Sequence, residues 1–262
     1  MKRKAILIES SNVNGLDDLP GARVDIENWK SFLKSDLGGA WEDSEIVALH
    51  KPVSQNVSDH LKVDSDSYCF VAFSGHGSDG SVALNDHWVN DGYPIESLKP
   101  KSNKGTVIID SCRGVAGIMN FSFTKAAFAN EIGHAVALNA QRGRDVVFAT
   151  SNELSERRIL IRSGSVIKPR EKWEESVKAS STGIVQMLAC AKGQGAEDDP
   201  DAGGYYTSLL LQSADLWKTS GTSASIHTTK DAHDYAASKL PAQQQSPEYT
   251  PTWLTFPFAV KT

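Results

Sequence analysis

Short apolar runs alternate with amphipathic segments along most of this chain, and that alternation restricts the fold more than any other feature. Lys4–Ile8, Glu45–Leu49, Tyr68–Phe73, Gly105–Ile109 and Ile184–Ala189 read as short strands, most of them apolar throughout rather than every second residue. Between the first two lies PGARVDIENWKSFLKSDLGG, with Pro20 near its start and Gly38-Gly39 at its end. It sets Val24, Trp29, Phe32 and Leu33 on roughly one helical face. SQNVSDHLK predicts a short second helix, and TKAAFANEIGHAVALNAQRG, closed by Gly143, a longer one. Val146–Ser151 is a further strand candidate. A parallel strand pair needs a long crossover, so strands separated by helices predict an α/β/α sandwich with a mainly parallel central sheet.

The length of 262 residues, without an internal repeat, allows one large domain or two small ones. Asp and Glu outnumber Lys and Arg by 32 to 27, and the resulting charge of −5 argues against a nucleic-acid or anionic-membrane binder. The start, MKRKAILIES, has the cations of a signal peptide, but Glu9 ends its apolar run too early, and it reads as a first strand. No segment has the length of a membrane span. Cys69, Cys112 and Cys190 are odd in number and far apart, which fits a reducing cytoplasm and no disulfide framework. Nothing has the ligand spacing of a zinc site. Asn152–Thr182 shows no clear period, and Arg142–Lys178 holds nine of the 27 cations. The stretch 142–182 therefore reads as an irregular basic linker.

In parallel sheets, reactive groups gather just past the carboxyl ends of the strands. VAFSGHGSDG places His76 between two glycines at one such end, and GTVIIDSCRG places Cys112 at another, 36 residues later. That separation allows one crossover back to a nearby strand. A thiolate is the nucleophile in cysteine chemistry, and a neighbouring imidazole can hold one at neutral pH.

Gly75-His76-Gly77 together with Asp110-Ser111-Cys112-Arg113-Gly114 resembles the caspase, metacaspase and paracaspase superfamily. LPGARVDIENWKSFL is similar to the first helix of the family, IVQMLACAKGQGAEDDPDAGGYYTSLLLQ to its small-subunit strand and helix, and QQQSPEYTPTWLTFPFAV to the C-terminal strand of bacterial members. The resemblance covers nearly the whole chain. It implies a single caspase-like domain over 1–262, with a large-subunit-like region over residues 1–141, the linker 142–182 and a small-subunit-like region over residues 183–262. It also implies a cysteine endopeptidase in which Cys112 is the nucleophile and His76 the general acid and base. The backbone N–H groups of Gly77 and Cys112 would form the oxyanion hole.

The residue two before the cysteine bears on specificity. Caspases carry Gln there; Asp110 stands at that place here, as in metacaspases. A carboxylate in a partly desolvated pocket favours an Arg or Lys side chain. Ser74 matches a position lining the same pocket, and Asp17 or Asp18 would add a second carboxylate. The resemblance then implies cleavage after Arg, or less readily Lys, and self-processing at Arg157, Arg158 or Arg162 of the linker. An Asp-specific caspase-type protease and a silent scaffold or binding module stay open as alternatives. No cofactor is required. Many metacaspases bind calcium through acids near the cysteine; Asp86 and Asp91 are present here, but Gly92 and Met119 replace expected acids, so no metal site is expected. Ala22 replaces the metacaspase helix cysteine. Expected partners are protein substrates and a regulatory protein, in the cytoplasm. "AEDDPDAGG", Cys69, Cys190, the tryptophans and the other histidines read as solvated surface or packed core.

Overall fold

The computed structural model describes residues 1–13, 16–87, 91–114 and 167–262. In chain order these form β1 (Arg3–Ser10), α1 (Pro20–Lys34), β2 (Ile46–His50), α2 (Ser54–His60) and β3 (Tyr68–Gly75). The short strands β4 (Gly77–Ser78), β5 (Ser81–Val82) and β6 (Tyr93–Pro94) follow, then β7 (Lys104–Asp110), α3 (Pro169–Ala179) and β8 (Gly183–Leu188). The remainder comprises β9 (Asp198–Asp199), β10 (Gly203–Gly204), α4 (Tyr205–Thr219), β11 (Ile226–Thr228), α5 (Thr229–Lys239), β12 (Glu248–Thr250) and β13 (Pro257–Val260). The five strands read from the sequence are all present, with ends shifted by one or two residues.

Six strands make the central sheet in the order β12-β8-β7-β3-β1-β2. The five from β8 to β2 run parallel, and β12 is an antiparallel edge. Both faces are covered, which is why the strands are apolar throughout. Ala5, Leu7, Phe70, Ala72, Ile108 and Met187 face a core shared with α1, α3, α4 and α5. Ile6, Ile8, Cys69, Val71, Phe73 and Ile109 face the opposite side, against Val57 and Leu61 of the α2 region. Trp29 and Phe32 of α1 lie in an aromatic cluster with Phe70 and Phe258. Burying a side chain such as Phe73 contributes about 2–3 kcal/mol.

The expectation of an irregular stretch through Thr182 fails over Pro169–Ala179, which is the helix α3. Its apolar stripe is only Trp173 and Val177, one turn apart, so no periodicity shows in a segment otherwise charged. Tertiary contacts make the helix. Trp173 packs edge-on to Tyr68 at 4.8 Å and Trp41 at 5.3 Å. Arg170 is bonded to Glu45 and Glu174, so this cation belongs to the folded body rather than to a solvated linker. The helix expected at 124–143, the strand at Val146–Ser151, and Trp88, Met119, His134, Arg157, Arg158 and Arg162 lie outside the described residues.

Candidate active site

β3 and β7 are neighbours with Ser74 opposite Asp110, so the loops that leave their carboxyl ends emerge side by side. The first carries His76 and Gly77, the second Cys112. Gly77 packs directly on the cysteine loop: a Cβ there would lie 2.6 Å from Ser111 Oγ and 2.8 Å from the Cys112 carbonyl. Only glycine permits that approach. Cys112 is half-buried, and its Sγ sits between the N–H of Ala196 at 3.4 Å and the Ala196 carbonyl at 3.5 Å. Burial raises its thiol above the usual range, and the carboxylates of Glu197, Asp110 and Asp198 add to that rise, against the Ala196 N–H. The His76 ring meets the Asp17 main-chain carbonyl, with Nε2 2.7 Å from the oxygen. A carbonyl can only accept, so Nε2 carries a proton, and in the neutral tautomer that this bond selects Nδ1 is the nitrogen with the free lone pair.

Beneath the cysteine is a cluster of acids. Asp110 is buried at the end of β7 and accepts the Thr207 N–H at 2.9 Å. Asp25 of α1 is fully buried and accepts the Ser74 hydroxyl at 2.5 Å and the Gly204 N–H at 2.9 Å. The two meet over one residue: a Cβ at Gly204 would collide with Asp110 Oδ2 and lie 3.0 Å from Asp25 Oδ2. Asp198, on β9, approaches from the other side and accepts the Gly21 N–H in the first turn of α1. Among the described residues, none of these carboxylates has a Lys or Arg partner. Burial pushes Asp110 up to about 6. Burial, then the Asp110 charge, pushes Asp25 well above the carboxylate range. Burial raises Asp198 as well.

A family model for the caspase domain matches residues 2–259. The chain belongs to the caspase-domain family. It is a caspase-like cysteine peptidase domain, and its parallel sheet with flanking helices is the caspase-like fold. A crystal structure of caspase-1 from Spodoptera frugiperda superposes with a TM-score of 0.55 at 12% identity, over 99% of this chain and 92% of that one. That likeness bears on the fold alone. No curated protein matches the chain.

The turn at Gly193 and Gln194, just after β8, braces the cysteine loop of the caspase-like core. Arg113 N–H donates to the Gln194 carbonyl at 2.9 Å, and Gly193 N–H returns a bond to the Arg113 carbonyl at 2.9 Å. Gln194 and Gln245 tie the same turn to Ser246 and Ala189 through their side chains. This corrects the reading of "AEDDPDAGG" as a solvated loop. Ala196 touches the thiol, Asp198 and Asp199 pair with Gly204 and Gly203, and Gly204 seats both buried aspartates. The second carboxylate beside Asp110 is Asp25, not Asp17 or Asp18. Asp17 is exposed and offers its carbonyl to His76, while Asp18 is exposed and paired with Arg23. Asp25 carried a signal: it sits in the buried stripe Ala22, Ile26, Trp29, Leu33, where an acid needs an explanation. Asp86, weighed as a calcium ligand, caps α2 by accepting Ser54 N–H and Oγ–H at 2.7 and 2.6 Å. Cys69 and Cys190 are buried, the latter behind the site with its thiol pushed up to about 12 by burial.

No described helix is long and apolar enough to cross a membrane.

Proposed function

We propose that the chain is an endopeptidase that cleaves after Arg, and less readily Lys, with Cys112 as nucleophile and His76 as general base and acid. The observation that carries the specificity is the cluster of Asp25, Asp110 and Asp198 next to the cysteine, without a Lys or Arg partner among the described residues. Buried carboxylates without a cation are costly, and a guanidinium supplies both the missing charge and donors for their free lone pairs. An acidic side chain in the same place would add its charge to a cluster of acids already raised by burial, which speaks against the caspase-type alternative. In the reaction, His76 Nδ1 takes the thiol proton as Sγ attacks the scissile carbonyl, and the bond to Asp17 holds the ring in that tautomer. Gly77 and Cys112 N–H groups stabilise the oxyanion. The protonated imidazole then donates to the leaving amine, and water hydrolyses the thioester. The reading needs no cofactor and takes protein substrates, with a regulatory protein as further partner and a cytoplasmic setting.

The test is a panel of fluorogenic peptides that differ only at the cleaved residue, run on wild type and Cys112→Ala. Turnover confined to Arg and Lys peptides, and lost in the variant, supports the assignment; a preference for Asp peptides refutes the pocket. Self-processing at Arg157, Arg158 or Arg162 belongs to the same reading. Intact mass after incubation would show fragments ending at these residues in wild type and none in Cys112→Ala; an active enzyme that stays one chain would end the self-processing proposal.

A further inference from the structure

Asp25 and Asp110 pose a problem of charge that basic specificity alone leaves open. They come from α1 and β7, meet against Gly204, and are both buried. The groups packed around them are the Ser74 hydroxyl from β3, Gly204 N–H from β10, and Thr207 N–H and Tyr206 from α4. Asp198 on β9 adds a third acid, with Glu197 and Cys112 beside it and His76 acting on Asp198 from the rim. Burial keeps Tyr206 in its neutral form. Among the described residues no Lys or Arg reaches the pair. Two buried carboxylates so placed resist ionising together, so the pair keeps one proton to a pH above the ordinary carboxylate range.

We propose that binding of a basic side chain at this pair is an exchange, in which one guanidinium enters and the shared proton leaves for solvent. The proposal rests on the basic-residue specificity argued above. Charge balances: a pair bearing one negative charge takes up one cation and loses one proton, ending doubly ionised around the guanidinium. The guanidinium keeps its own proton throughout. Linkage then dictates how affinity depends on pH. While the free pair holds its proton, each unit of rising pH lowers the activity of the competing proton tenfold and tightens binding about tenfold. The dependence levels off once the free pair is ionised. An uncharged side chain of the same shape has no proton to displace and gains nothing. The preference for Arg over its neutral isostere is thus itself set by pH and collapses on acidification.

The experiment is calorimetric titration of the wild-type chain with butylguanidinium, which is the bare arginine side chain and offers no bond to cleave. Butylurea is the neutral control. Each is measured in phosphate and in Tris at several pH values from 6 to 8. The expected result is a butylguanidinium enthalpy that differs between the buffers by the heat of close to one released proton, with Kd falling about tenfold per pH unit. Asp25→Asn removes the second ionisable group and abolishes both effects. Saturable binding with buffer-independent enthalpy and pH-independent Kd overturns the exchange and leaves the basic specificity standing. Butylguanidinium that fails to bind at any pH, or binds no better than butylurea, overturns the specificity reading and the exchange with it. If Asp25→Asn does not fold, the buffer comparison on wild type decides alone.

Discussion

Two ends of one sheet bury ionic groups in opposite ways. At the amino end, Arg3 of β1 is wholly buried, yet it is fully served. Its guanidinium donates to the carbonyls of Gly39 and Ala40 and to Glu45, with Glu174 3.9 Å away. It also stacks 4.4 Å over Trp41 and 5.3 Å from Trp173. Arg170 supplies a second cation to the same carboxylates. At the carboxyl end, Asp25 and Asp110 are buried and Asp198 is half-buried beside them, with no Lys or Arg partner among the described residues. A closed set of opposite charges fastens α3 and the Asp43–Glu45 turn to β1. An open set is stable only at a cost, and such a cost is tolerated where a ligand completes it.

The largest test of that contrast is chemical. Cys112→Ala and His76→Ala should each lower kcat by several orders of magnitude with the fold intact, as removal of a nucleophile or its base does. Arg3→Met should leave kcat/KM close to wild type at temperatures where it is folded. Near wild-type turnover in Cys112→Ala would place the chemistry elsewhere.

The next effect separates charge from packing. Asp110→Asn keeps the shape of the side chain and removes one charge. Breaking a buried ion pair costs about 3–5 kcal/mol, so kcat/KM for Arg peptides should fall at least a hundredfold while Gln peptides change little. Equal losses on both would mean that Asp110 positions the cysteine loop instead.

The smallest effect has opposite signs at the two ends. Arg3→Met leaves the buried Gly39 carbonyl and the Ala40 carbonyl without their donor, and Glu45 with Arg170 as its one cation among the described residues, and should lower Tm by several degrees. Asp110→Asn should raise Tm by a few degrees at pH 7.5. The direction follows from burial, which lifts Asp110 in the folded chain to about 6. A group with a raised value contributes its full stability below its unfolded range, near pH 4, and loses it as pH rises through the folded value. The gain in Asp110→Asn should therefore vanish in thermal melts at about pH 4 and grow between there and pH 7. A stabilisation independent of pH would show that the aspartate is not strained by its charge.

Legibility differed in the same way. The alternation that predicts β1, β3, β7 and β8 is local: a strand buried on both faces must be apolar wherever its partners lie. His76 and Cys112 were legible because each sits in a glycine-framed turn directly after such a strand, and the parallel sheet brings strand ends to one edge. Helix α3 was not legible, because two apolar residues in eleven make no pattern until Tyr68 and Trp41 are there to receive Trp173.

The sequence by itself determined the five parallel strands, the first two helices and the placing of His76 and Cys112 just past neighbouring strand ends, since hydrophobic period and turn chemistry act over a few residues. Tertiary structure alone decided which acid joins Asp110 and which carbonyl holds His76. Asp25 and Asp110 are 85 residues apart and meet only because α1 packs beside α4 and β10 slips Gly204 between them. Asp17 serves through its backbone, and a main-chain carbonyl leaves no mark on residue type. Burial makes the charges matter: the same aspartates in water would sit near their ordinary range, and only their removal from solvent, with no Lys or Arg beside them among the described residues, raises them.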